Sequence, residues 1–369
     1  MVAEALQTKS KRIFVTDCEG PISKNDNAFE LTSYFVPNGD NFFALISKYD
    51  DVLADVVNKP GYKAGDTLRL ILPFLKAYGA TNEKIREYSS TNILLVPSAR
   101  DTLQFVRDLM PSFIVSTSYE QYIYSLCRLT GFPYANAYCT KLNIDKYTMS
   151  GKEEKRLKEL GEEISTMSMI KIPENAKSVN DFSQRDRETI QRLDEIFWKE
   201  FPKMESGKML EEVNPVGGYE KVNAVQDIVE KLGSRLDNVM YVGDSITDVP
   251  PFQFVRKNGG LTVSFNGNEY AIREAEIAVL SGNTIVTSVL AEVFSRLGKE
   301  SVIRLVKEWS PCGLKKYCAS PMLRERMFKL YPKTFPQVEK ITAVNRERLK
   351  KESSAFRKTV RGEAIGKLG

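Results

Sequence analysis

RIFVTDCEGP, residues 12–21, decides how the chain is read. Arg12-Ile13-Phe14-Val15-Thr16 is a short apolar, β-prone run, and Gly20 with Pro21 ends it. A buried strand that stops at Asp17-Cys18-Glu19 delivers two acids from one turn toward a ligand. The pattern recurs downstream. Phe113-Ile114-Val115 ends at Ser116-Thr117-Ser118, and Asn238-Val239-Met240-Tyr241-Val242 ends at Gly243-Asp244-Ser245-Ile246-Thr247-Asp248. Leu261–Phe265 and Glu276–Leu280 read as a fourth and a fifth strand.

Helix-period stretches separate these strands. In YEKVNAVQDIVEKL, residues 219–232, the apolar residues Val222, Val225, Ile228, Val229 and Leu232 share one face. Strands alternating with helices predict an α/β fold, a Rossmann-like doubly wound parallel sheet, in which ligands bind at the carboxyl ends of the strands. The expected core is 12–26 plus 111–285. Two helical stretches interrupt it, 27–110 and a highly charged insert at 152–215, and a basic helical extension follows at 286–369.

Composition narrows the chemistry. With 369 residues, 42% hydrophobic and 27% charged, the chain suits a globular protein of more than one compact unit. It contains no histidine, which excludes Ser-His-Asp and Cys-His catalysis and histidine zinc sites. Cys18, Cys127, Cys139, Cys312 and Cys318 fit neither a disulfide framework nor a CxxC site, and read as reduced thiols, mostly in the core. No apolar run is long enough to span a bilayer, and MVAEALQTKSKR lacks the apolar segment of a signal peptide, so the expected location is the cytoplasm.

The net charge of +5 is uneven: residues 299–369 hold eighteen lysines and arginines against seven acids, leaving the rest of the chain net negative. The tail therefore reads as a separate basic helical object, VEKITAVNRERLKK included. It is expected either to solvate its own face or to dock on an acidic protein partner. Its sparse aromatics argue against nucleic acid as a partner.

Asp17, Glu19, Asp244 and Asp248 would repel one another at converging strand ends, so a bound divalent ion is the economical reading. With oxygen donors only, Mg²⁺ is the expected metal.

In order, DCEGP at Asp17, VST at Ser116, Lys221 in GGYEKVNAVQDIV and GDSITD at Asp244 resemble the four motifs of the haloacid dehalogenase-like superfamily of aspartate-nucleophile phosphatases. The resemblance implies Asp17 as nucleophile and Glu19 as general acid and base. Ser116 and Thr117 would hold phosphoryl oxygens, with Thr247 also on the substrate side. Lys221 would neutralise charge, and Asp17, Glu19, Asp244 and Asp248 would serve Mg²⁺. Two positions depart from the usual pattern: Glu19 stands where Asp is usual, and Pro21 where Thr is. The chemistry implied is hydrolysis of a small phosphorylated metabolite through an aspartyl-phosphate. The alternatives are a phosphotransferase sharing that intermediate and a non-catalytic scaffold docking through its basic tail.

Local likeness to phosphoserine phosphatases extends further. It makes 27–110 a helical cap inserted after the first strand, places Asp26 as an ammonium-binding acid and Arg69 as a carboxylate-binding arginine, and gives ANAYCTKLNIDKYTMSG a hairpin. The 152–215 insert and the basic tail resemble instead an archaeal group of the superfamily, sometimes labelled a subunit of an energy-converting hydrogenase. No iron–sulfur cysteine spacing accompanies that label. Since every motif lies before Leu280, the tail from residue 299 on is expected to be dispensable to the chemistry, provided it is peripheral.

Overall fold

The computed structural model describes residues 12–368. The N-terminal stretch read above as lacking a signal segment lies outside these residues, except for Arg12. Seven strands form one sheet: β1 (Ile13–Thr16), β2 (Ser112–Tyr119), β3 (Ala137–Thr140), β4 (Val239–Gly243), β5 (Leu261–Phe265), β6 (Ile277–Leu280) and β7 (Gln337–Lys340). Their order is β3-β2-β1-β4-β5-β6-β7, all parallel except β7, which runs antiparallel to β6. Strand order reverses at β1, which pairs with β2 on one side and β4 on the other. The Asp17 and Asp244 loops therefore leave adjacent strand ends, where such sheets bind ligands.

The helices before the charged insert are α1 (Asn27–Phe35), α2 (Gly39–Asp51), α3 (Thr67–Ala77), α4 (Asn82–Thr91), α5 (Ala99–Leu109) and α6 (Glu120–Thr130). The insert itself holds α7 (Gly151–Thr166), α8 (Gln184–Glu195) and α9 (Lys208–Glu212). Beyond it come α10 (Tyr219–Lys231), α11 (Val249–Lys257), α12 (Glu269–Glu274), α13 (Ile285–Leu297) and α14 (Lys299–Lys307). The chain closes with α15 (Pro311–Tyr317), α16 (Pro321–Leu330), α17 (Arg346–Arg361) and α18 (Glu363–Gly366).

Both faces of the sheet are covered, because its strands are apolar on both sides. Phe14, Ile114, Met240 and Val263 pack against α5, α6 and α13, while Ile13, Val15, Tyr241 and Ala278 pack against α10, α11 and α17. A second core lies beside the sheet. Leu31, Phe42, Ile46, Ile71 and Phe74 of α1–α3 share it with Leu157, Leu160, Leu193 and Phe197, so the insert at 152–215 and the helices after β1 form one packed layer. Four of the five cysteines are buried and all are free. No helix among the described residues is long and apolar enough to cross a membrane.

Three expectations are corrected here. Residues 137–140 supply one parallel strand, β3 on β2, rather than a hairpin, and the chain then turns through Ile144–Lys146 into α7. Part of VEKITAV is strand, not helix: β7 closes the open edge of β6, with only Val338 turned fully inward, too short a run to announce itself by alternation. The tail is also not a separate object. Val302, Leu305, Leu314, Met327 and Val338 are buried in the main core, and Leu349 lies in the opposite one.

Candidate active site

Asp17 sits one residue past β1, and its backbone N–H still donates to Val242 O at 2.8 Å, so the sheet itself fixes the carboxylate. Cys18 N donates to Asp17 Oδ1 at 2.6 Å, and Lys221 Nζ donates to Asp17 Oδ2 at 2.6 Å. Lys221 is wholly buried on the first turn of α10 and also reaches Asp248 Oδ1 at 2.7 Å. Burial pushes the Asp17 carboxyl up to about 7 against the pull of Lys221. Burial alone would lower the Lys221 ammonium, but Asp17 and Asp248 outweigh it and hold the lysine charged.

Asp248 is committed to holding others in place. Its Oδ2 accepts from Asp244 N at 2.8 Å and Ser245 N at 3.1 Å, and its Oδ1 accepts from Tyr241 as well as Lys221. Gly20 (φ +95°) lets Asp244 approach: a Cβ at residue 20 would lie 2.1 Å from Asp244 Oδ2. Asp17, Asp244 and Asp248 each offer one carboxylate oxygen within 4.8 Å of the others.

Glu19 turns away from that trio. Its Oε1 accepts from Asn27 N at 2.6 Å at the start of α1, and burial, with Asp26 nearby, pushes its carboxyl well above the usual range. Asp26 caps α1 through Phe29 N at 3.0 Å and lines the same cavity of about 100 Å³ as Asp17, Glu19, Thr117, Asp244 and Thr247. Thr117 Oγ1 is buried there without a hydrogen-bond partner, an open donor facing a ligand site. Ser116 is buried just behind, its Oγ 3.1 Å from Ser118 Oγ and outside the cavity lining.

The structure does not bring Arg69 into this cavity. Its guanidinium donates to Asp66 Oδ2 at 2.5 Å and to Leu210 O at 2.9 Å, tying α3 to α9, and it lines a separate outer cavity. In its place stand residues the sequence did not single out. Arg357 and Arg361, one turn apart on α17, both clasp Asp244 Oδ2, Arg361 Nη1 at 3.1 Å. The arginine side chains are 3% and 4% exposed. Ser353 Oγ pins α17 by donating to Gly267 O at 2.6 Å, and Leu368 closes the far wall. The tail is therefore not peripheral, the condition on which its independence from the chemistry rests: α17 lines the site. Asp50 was missed as well. It accepts from Tyr62 Oη at 2.6 Å and from Gly65 N and Thr67 N, both at 3.0 Å, holding the loop before α3 over the cavity.

The acids around this centre outnumber Lys221, Arg357 and Arg361, and every donor in the trio is an oxygen. Such a set, Asp17 with Asp244 and Asp248, fits a hard divalent cation.

Residues 76–288 match the family model of haloacid dehalogenase-like hydrolases. The chain belongs to this family. A solved gene product of Archaeoglobus fulgidus is 27% identical over 97% of this chain and 99% of that one, with a TM-score of 0.79. That coverage takes in most of the C-terminal segment that enters the site. A substrate-bound phosphoserine phosphatase is more distant, 14% identical over 76% of this chain and 98% of that one, with a TM-score of 0.45. A search of curated proteins finds no match.

Proposed function

We propose that this haloacid dehalogenase-like hydrolase is a Mg²⁺-dependent phosphatase that splits a small phosphomonoester through an aspartyl-phosphate on Asp17. The observation that carries the reading is the Lys221 bridge, 2.6 Å to Asp17 and 2.7 Å to Asp248, in a chain with no histidine to act instead.

The residues divide the work. An Asp17 carboxylate oxygen attacks phosphorus in line while the ester P–O bond breaks, and the Glu19 proton passes to the departing alkoxide. Glu19, now ionised, takes a proton from water as that water attacks the phosphorus of the aspartyl-phosphate. The acyl phosphate bond breaks, releasing inorganic phosphate and restoring both acids. Thr117 Oγ1 and the backbone after Ser116 hold phosphoryl oxygens, and Lys221 favours the ionised, nucleophilic form of Asp17 against the pull of its burial. Mg²⁺ held by Asp17 and Asp244 would supply charge neutralisation for the phosphoryl group. Asp248 fixes Lys221 and the loop that carries Asp244.

Dialysis against EDTA is expected to remove phosphate release from simple esters, and added Mg²⁺ to restore it. Full activity in excess chelator would contradict the proposal.

A further inference from the structure

We propose that Arg357 and Arg361, contributed by the C-terminal helix α17, form a substrate clamp for a second anionic group, a carboxylate or a second phosphoryl. The preferred ester is then a compact one carrying that group beside the phosphate. The proposal rests on the phosphatase reading of the Asp17 site and deepens it.

Arg357 and Arg361 are the only cations among the described residues that line the Asp17 cavity. Lys221 is occupied by Asp17 and Asp248, and Arg69 lies elsewhere, paired with Asp66. Arg361 is anchored in a fixed orientation. Its Nε donates to Lys24 O at 3.0 Å and its Nη2 to Asn25 O, so the loop following the DCEGP turn sets the guanidinium plane. Arg357 has capacity to spare. Its Nε is buried and has no hydrogen-bond partner, a costly state for a charged donor unless an acceptor arrives.

The two guanidinium groups already hold one carboxylate, that of Asp244, so their spacing suits an anion. Once a divalent cation shares the Asp244 charge, those donors can turn to a ligand. Their setting among Asp17, Glu19 and Asp26 would repel a substrate's second negative charge if the arginines were absent. Both guanidinium groups reach Asp244 Oδ2, and Asp244 offers an oxygen within 4.8 Å of one on Asp17, so a second group held by them lies a short distance from the phosphoryl.

The test uses full-length protein with Mg²⁺: wild type, Arg357→Gln, Arg361→Gln, and Lys351→Gln as a control for tail charge. Steady-state kinetics on ethyl phosphate, phosphoglycolate and ethylene glycol bisphosphate give the preference for an anionic neighbour, and the last two separate carboxylate from phosphoryl. Wild type is expected to favour at least one acid-bearing ester over ethyl phosphate. Each arginine variant should lower that kcat/KM ratio about tenfold or more, with Lys351→Gln leaving it unchanged. Proportional losses on all three esters would reduce the arginines to a structural role, and gains on all three would make them a plug; either overturns the clamp. Calorimetric binding of phosphonoacetate and of methylenediphosphonate against methylphosphonate reads the clamp without turnover. A wild type that binds all three equally sinks it, whereas a preference for either dianionic probe lost in the variants upholds it even if no ester is hydrolysed, an outcome that would sink the phosphatase reading alone.

Discussion

Asp17→Asn is expected to cut phosphate release to background, a loss of about ten-thousandfold or more, while the chain stays folded. The amide oxygen is too weak a nucleophile to attack phosphorus, and the substitution also removes one carboxylate from the Asp17, Asp244 and Asp248 trio. Folding should survive because Lys221 keeps Asp248 as its partner at 2.7 Å, and Asp17 N stays hydrogen-bonded to Val242 O. Near-native circular dichroism with no turnover is the expected pair of observations. Turnover like that of the native enzyme would mean that water, not Asp17, attacks the ester.

Removing residues 343–369 is expected to do damage of both kinds. The deletion leaves β7 in place but strips α17 and α18, exposing the contacts of Leu349, which is fully buried, and of Ser353 with Gly267. It also leaves the Asp244 carboxylate without Arg357 and Arg361. Breaking a buried pair in this one-sided way costs about 3–5 kcal/mol, because a desolvated charge is left uncompensated. Urea denaturation should show that loss, and phosphate release at saturating Mg²⁺ should fall about a hundredfold or more. A truncated chain with the native midpoint and native turnover would show the C-terminal helix to be an ornament.

That second expectation reverses the one drawn from the sequence, and the reason is physical. The strand ends at Asp17, Ser116 and Asp244 are legible because short β-branched and aromatic runs broken by Gly or Pro are local signals. Lys221 is legible only through its order among the motifs. Arg357 and Arg361 give no local signal, since they stand in a helix with Arg346, Arg348, Lys350, Lys351 and Lys358, and nothing in that run marks which cations turn inward. What distinguishes them is Asp244, 113 residues before Arg357, a pairing set by tertiary packing alone. β7 was hidden for the same reason: a four-residue edge strand with one fully buried side chain is defined by β6, its partner, and not by its own alternation. Arg69 shows the converse. Its position in LRLILPFL suggested a ligand, yet α3 turns it toward Asp66 and α9.

The most direct test of the central claim is to trap the covalent intermediate. Enzyme quenched during turnover of a simple phosphate ester and treated with borohydride should carry the reduced aspartyl-phosphate as homoserine in place of Asp17, found by peptide mass spectrometry at that position and no other. Steady turnover under the same quench, with unmodified Asp17 or with the reduced residue elsewhere in the chain, would contradict the account.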